Sequence, residues 1–170
     1  MTDENITVEP LVLTREYTAS IELVFDCWTK SEHLCNWQFP MPGFRCEFLQ
    51  DDIQVGGSAL HKMIMPSGTE MYLLTEYDEI SPPDKIVFRQ YDSNAEGEKL
   101  PNAHMSNWPK DLVATVLLEN AGTGTLMTFT WEPLNPTPEE AAAFSAAVDK
   151  VGGGWGGGFE QLATYLDTVL

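Results

Sequence analysis

Phe144, Val148, Val151, Trp155, Phe159, Leu162, Leu166 and Val169 follow one another at steps of four and three. That spacing puts them on one stripe of a single helix. Thr137 is placed to cap it, with Glu140 three residues on in the capping-box pattern, and Pro136 and Pro138 punctuate the approach. The middle of the stripe, however, reads Gly152, Gly153, Gly154, Trp155, Gly156, Gly157, Gly158. Six glycines oppose a helix by about 5 kcal/mol, at roughly 0.8–1 kcal/mol each. The stripe keeps its phase across them, so the expectation is one helix over Thr137–Leu170, continuous or bent, with Trp155 facing whatever the helix packs on. A chain built this way must supply a broad apolar surface for that stripe.

The preceding residues supply it as strands. Val8–Tyr17 reads as a first strand. Ser20 caps a helix over Ile21–Thr29, where Ile21, Val24, Phe25 and Trp28 recur at helical spacing. Ser31 is expected to cap a second short helix, Glu32–Trp37, with Leu34 and Trp37 on its apolar side and Pro40, Pro42 and Gly43 ending it. Strands are then predicted at Phe44–Leu49, Ser58–Met65, Thr69–Ile80, Lys85–Tyr91, Asp111–Glu119 and Thr125–Trp131. Gly56-Gly57, Pro66-Ser67-Gly68, Ser81-Pro82-Pro83-Asp84 and Asn120–Gly124 are the turns between them. Residues 92–110 form a long polar loop. Sequential hairpins make an antiparallel meander, and such a sheet must cover one face. The C-terminal helix is the only element long enough to do so, which predicts an α+β fold with room for a pocket between helix and curved sheet.

Bulk properties narrow the partners. The 170 residues carry 26 acidic against 9 basic side chains, a formal charge of −17, with 43% hydrophobic and 21% charged residues. Such a surface repels nucleic-acid phosphates and anionic lipid heads, so neither nucleic acid nor membrane is an expected partner. No apolar run approaches the ~20 residues of a membrane helix, and the acidic first residues do not read as a signal peptide. Cys27, Cys35 and Cys46 show no metal or redox spacing and read as reduced thiols, which with the rest predicts a cytoplasmic protein. Residues 8–170 are expected to form one domain after a tail at 1–7.

Strand alternation proposes a site. In 58–65, Ala59, His61, Met63 and Met65 share one face, and Lys62 is expensive to bury, so the His61 face should point inward. The same logic groups Met127, Phe129 and Trp131. The expected ligand-binding wall is therefore His61, Met63, Met65, Met127, Phe129 and Trp131, with Trp155 and Phe159 from the helix. Met and aromatic side chains suit an adaptable apolar pocket. Trp37, Met105 and Trp108 are expected at its mouth. His61 is a ligand contact or a general base, or else a core histidine bonded to a carbonyl. His33 is expected exposed, and His104 lies in the long loop. The histidines lack metal-ligand spacing, and the glycine cluster lacks the strand and Lys of a phosphate cradle, so no metal or cofactor is expected. Glu47, Glu70, Glu76 and Glu79 read as strand carboxylates in solvent or paired with Lys or Arg.

The run Ser20-Ile21-Glu22-Leu23-Val24-Phe25-Asp26-Cys27-Trp28-Thr29, with Glu32-His33-Leu34 and Trp37, resembles the START-like superfamily. More narrowly it is similar to the heat-shock-protein ATPase activator homologue family of SRPBCC domains. The likeness continues in Asp52–Gly57, Pro66–Glu70, Glu79–Phe88 and Gly154-Trp155 with Leu162 and Leu166, and covers roughly residues 10–168. It implies a helix-grip fold of the START and Bet v type, with about seven antiparallel strands curled around the C-terminal helix and two short helices after strand 1. The implied function is binding of a small hydrophobic or amphipathic molecule in the cavity. A co-chaperone-like protein interaction domain is one alternative, and a cyclase, dehydratase or hydrolase using His61 is another, since fold does not settle function. A homodimer is one assembly the resemblance allows. Gln54 stands where the family usually carries Arg, and the family typically has one Gly before the Trp.

Overall fold

The computed structural model describes residues 8–39, 42–102 and 105–169, and leaves the side chains of Val151 and Gly153 undescribed. The expected tail at 1–7, the helix-ending Pro40, His104 and the terminal Leu170 therefore lie outside the described residues. The elements in order are β1 (Leu11–Tyr17), α1 (Ile21–Thr29), α2 (Ser31–Leu34), β2 (Arg45–Asp51), β3 (Ser58–Ile64), β4 (Glu70–Ser81), β5 (Lys85–Ser93), β6 (Leu112–Ala121), β7 (Gly124–Pro133) and α3 (Pro138–Val169). The seven strands form one antiparallel sheet in the order β1-β7-β6-β5-β4-β3-β2. This is a helix-grip fold, with α3 held on the concave face and the two short helices following β1. Among the described residues, no helix is long and apolar enough to cross a membrane.

Local chemistry accounts for most boundaries. The Ser20 hydroxyl accepts from Leu23 N at 3.2 Å and starts α1. The second helix is shorter than expected, because it stops at Leu34 and turns tightly through Trp37. Ser31 does not cap it either; its hydroxyl bonds the Asp51 carboxylate on β2, and Lys30 at the N-cap makes no side-chain cap bond. Leu34 and Trp37 are both buried, and the Trp37 indole donates to Cys27 O at 2.9 Å. The last hairpin is tighter than its five polar residues suggest, since Ala121 pairs with Gly124 and leaves a two-residue turn with Gly122 at φ +60°.

The start of α3 has the expected reciprocal cap. Glu140 N donates to Thr137 Oγ1 at 3.1 Å, and Thr137 N donates to Glu140 Oε1 at 2.9 Å. The helix then runs unbroken through Gly152–Gly158 to Val169. Its apolar stripe is buried at Phe144, Phe159, Leu162 and Leu166, whereas Val169 is 39% exposed where the helix runs past the sheet. Trp155 faces the sheet, with its ring centroid 4.6 Å from Phe129, 6.1 Å from Trp131 and 6.2 Å from Phe88.

The glycines flank that stripe on both sides. At about 100° per residue, Gly152 and Gly156 lie on one flank of Trp155, and Gly154 and Gly158 on the other. A Cβ on Gly152 would meet Leu11 Cδ1 at 3.0 Å, and one on Gly156 would come 3.5 Å from Arg15 Nη2, so this flank lets α3 approach β1 closely. A Cβ on Gly154 would meet nothing within 4 Å. The two flanks make a direct prediction. Gly154→Ala should stabilise the protein by about 0.8–1 kcal/mol through helix propensity alone, while Gly152→Ala should gain clearly less because Leu11 must move. Urea unfolding of both variants measures this, and equal gains would contradict the packing described.

Candidate functional site

A cavity of about 1050 Å³ opens on the unfilled flank of α3. The helix contributes Gly154, Trp155 and Gly158, and the sheet contributes Met63, Leu73, Gln90, Asp92, Leu112 and Trp131. Residues 99–102 and 105–111 also line it, among them Leu100, Met105 and Trp108, and Trp37 and Phe39 border it after α2. The Trp108 ring lies 6.0 Å from Trp131 and 5.7 Å from Phe144, so the loop is held by the same aromatic cluster that holds the helix.

The walls differ in chemistry. Near α3 they are aromatic. On the sheet side, the register aligns His61 with Leu73 and Leu73 with Asp92, and Ala59 with Thr75 and Thr75 with Gln90. Gln90 and Asp92 therefore share the inner face with the buried Ile86 and Phe88 of the same strand. Gln90 Nε2 donates to Thr75 Oγ1 at 3.1 Å. The space can accept an apolar body against Trp131 and Trp155 and a polar group toward β5.

Charged groups fasten the mouth. Lys110 N donates to Glu140 Oε2 at 2.8 Å, tying the loop to the first turn of α3. Burial alone would raise the Glu140 carboxyl, but the N–H groups of Thr137 and Lys110 outweigh it and hold the group below the usual range. Tyr91 donates to Asp111 Oδ1 at 2.6 Å and accepts from Arg89 Nη1 at 3.0 Å, while Arg89 is paired with Asp78. The Lys99 ammonium sits 4.0 Å from the Tyr91 ring centroid and pairs with Glu76. Glu47 and Glu70 both pair with Lys62, and Glu79 pairs with Lys85, so all four strand carboxylates have a lysine partner.

Of the expected wall residues, Met63, Trp131 and Trp155 line this cavity; His61, Met65, Met127, Phe129 and Phe159 do not. Met127, Phe129 and Phe159 are fully buried beneath α3, where the helix lies tight against β7 and β1. Phe129 and Phe159 pack there ring to ring with each other and with Trp28. Met65 lies beyond the end of β3, in the turn where its N–H donates to Thr69 O. Met105 and Trp108 stand at the mouth as expected from the loop, but Trp37 borders the cavity from a fully buried position. The missed residues include Gln90, Asp92, Leu73, Leu112, Gly154 and Gly158. Alternation through Lys85–Ser93 carries the signal for the first two, as polar residues in phase with Ile86 and Phe88.

His61 does face inward, at 1% exposure, but it does not line the cavity, and Phe48 stacks on it at 5.3 Å. Its Nε2 has no hydrogen-bond partner among the described residues, and burial pushes its pKa from 6.5 down to about 4. The opposite face of β3 is also covered, since Leu60 and Ile64 are buried. Leu60 is in register with Leu74 and Leu74 with Tyr91, and the turn at Gly97 comes against Leu60. His33 is half-buried rather than exposed, with Nδ1 2.6 Å from the Tyr165 hydroxyl on α3. Gln54 bonds Asp52 Oδ1 at 2.7 Å, a neutral donor on a carboxylate.

The family model described as Activator of Hsp90 ATPase homolog 1-like protein matches residues 18–167. Among solved structures, a protein from Arthrobacter aurescens superposes with a TM-score of 0.79 at 22% identity, covering 98% of this chain and 90% of that one. One from Staphylococcus epidermidis gives 0.75 at 25% identity, covering 99% and 96%. The AHSA1 protein from Silicibacter pomeroyi gives 0.70 at 16% identity, covering 95% and 99%. No curated protein matches the chain.

The environment of His61 predicts a pH dependence. Folding holds the ring neutral, so the unfolded chain takes up the proton first as pH falls from about 6.5 toward 4. Stability is lost across that window, by about 2 kcal/mol between pH 7 and pH 5 from this group alone. A His61→Leu variant should lack this part of the slope when denaturant unfolding is compared at the two pH values. Parallel slopes would show that the ring titrates normally.

Proposed function

We propose that this chain, which belongs to the Activator of Hsp90 ATPase homolog 1-like family, binds a small hydrophobic or amphipathic molecule between α3 and the sheet. The cavity of about 1050 Å³ carries the reading. Its size is at the upper end of small-molecule sites, and its aromatic wall with a few polar groups opposite is the chemistry of such a site. The glycine flank adds support. A side chain at Gly154 would meet nothing within 4 Å, whereas one at Gly158 would come against Trp37 and Phe39 at the border of the space, and helix propensity favours almost any residue over glycine at Gly154.

The other two readings draw less from the structure. A docking face for a protein would present a contiguous apolar patch. Among the described residues, the large exposed apolar side chains are instead spread over β1 (Val12), β2 (Leu49), β4 (Met71), β6 (Leu117), α3 (Val169) and the loops (Val55, Leu100 and Leu134). A hydrolytic or cyclising role for His61 would need the ring in the cavity beside a Tyr or carboxylate. It is buried outside the cavity lining and held neutral with a pKa of about 4, too low for an effective base near neutral pH.

The neutral dye N-phenyl-1-naphthylamine, which brightens on entering an apolar site, tests the reading. Wild-type protein should bind it saturably and lose its own tryptophan emission by transfer to the dye. Gly154→Leu should weaken that binding at least about tenfold while leaving thermal stability equal or higher. Absence of saturable binding by the wild type, across this and a panel of neutral lipids, would overturn the proposal. Equal affinity in the two proteins would place the binding elsewhere.

A further inference from the structure

Two cysteines on consecutive elements, α2 and β2, come together in the fold. Cys35 is the C-cap of α2, and Cys46 lies on β2, the last strand at one edge of the sheet. The segment 31–39 and the segment 44–51 run antiparallel to each other and touch at three successive points. Ser31 bonds Asp51 at one end, and Phe39 stacks on Phe44 at the other, with ring centroids 6.4 Å apart and planes 8° from parallel. Between them, alternation turns Cys46 to the same side of its strand as Phe44, and Cys35 and Cys46 lie close enough for each thiol to shift the other's titration. Both are half-buried free thiols, so small oxidants have access, whereas Cys27 is fully buried.

We propose that Cys35 and Cys46 form a reversible disulfide on exposure to hydrogen peroxide, fastening the segment that carries Trp37 and Phe39 to the edge strand. The Cys35 thiolate attacks one peroxide oxygen, the O–O bond breaks, and the leaving hydroxide takes a proton to become water. Cys35 is then a sulfenic acid. The Cys46 sulfur attacks the Cys35 sulfur, its proton leaves with the displaced hydroxide as a second water, and the S–S bond closes. Two thiols are oxidised by two electrons in all, and one peroxide is reduced to two waters. A dithiol reductant reverses the bond by exchange.

The local chemistry assigns the roles. The interaction between the two thiols lowers the Cys35 thiol below its ordinary value and raises that of Cys46. Burial, with Asp26 adding to it, pushes Cys27 up to about 12 and leaves that thiol unreactive. The consequence reaches the cavity, because Trp37 and Phe39 border it and Cys46 is in register with Met63 on its wall.

Peptide mapping of the native protein decides the matter. After stoichiometric peroxide the intact mass should fall by two hydrogens; denaturation and alkylation should then add one alkyl group, and digestion should yield one peptide pair joined through Cys35 and Cys46, with Cys27 alkylated. Dithiothreitol should restore three alkylatable thiols. In Cys46→Ser, Cys35 should stop at the sulfenic acid and be trapped by dimedone to a greater extent than in the wild type. Should that variant fail to fold, the wild-type map still decides. A bond through Cys27, a bond between two chains, or Cys35 and Cys46 both left alkylatable would overturn the proposal.

Discussion

The fold depends on how α3 meets the sheet, and that contact is asymmetric. On one flank of the helix, Gly152 and Gly156 let the backbone come down onto Leu11 and Arg15 of β1. Under the stripe itself, Trp155 and Phe159 close on Phe129, which in turn meets Trp28 from α1. Aromatic burial of this density is the largest apolar contribution available to a chain of this size. On the other flank, over β3 to β5, no side chain of the described residues fills the space, and the cavity is what remains. The capping box and the Lys110–Glu140 bond fix the first turn of the helix, so the gap is held open by its rigid borders.

Much of this architecture is legible in the sequence, for physical reasons. A stripe that stays in phase for eight apolar residues outweighs six unfavourable glycines, because tertiary burial exceeds propensity. Hairpin turns punctuate the strands clearly enough to order the meander. Depth is harder to read. Alternation says which face a side chain is on, but not whether it lies under the helix or beside the gap. Met127 and Phe129 are on the right face and still sit in solid core, and His61 faces inward yet does not line the cavity. The second short helix is legible, but its cap and its end are not, for a similar reason: Ser31 reads as a cap locally, but its hydroxyl is taken by Asp51, a residue twenty positions away. The Cys35–Cys46 meeting is likewise a product of two elements packing together, with no trace in the spacing of the cysteines.

Membership of the family carries the fold to this chain, while the chemistry of the site has to come from its own residues. The glycine flank and the inward Gln90 and Asp92 give the cavity one open wall, one aromatic wall and one polar wall. That arrangement favours a ligand with an apolar body and a single polar group. The strongly acidic surface, at −17 overall, keeps polyanions away from its mouth. The helix that the sequence makes conspicuous thus has two jobs in one turn: Trp155 holds the structure together, and the glycines beside it leave room.

Native mass spectrometry of the protein isolated gently from its own cells tests the central claim most directly. The account predicts a population carrying one small organic molecule, released on denaturation and extractable into apolar solvent, and missing from Gly154→Leu protein prepared the same way. A spectrum showing only the bare chain, under conditions that preserve known weak complexes, would contradict it.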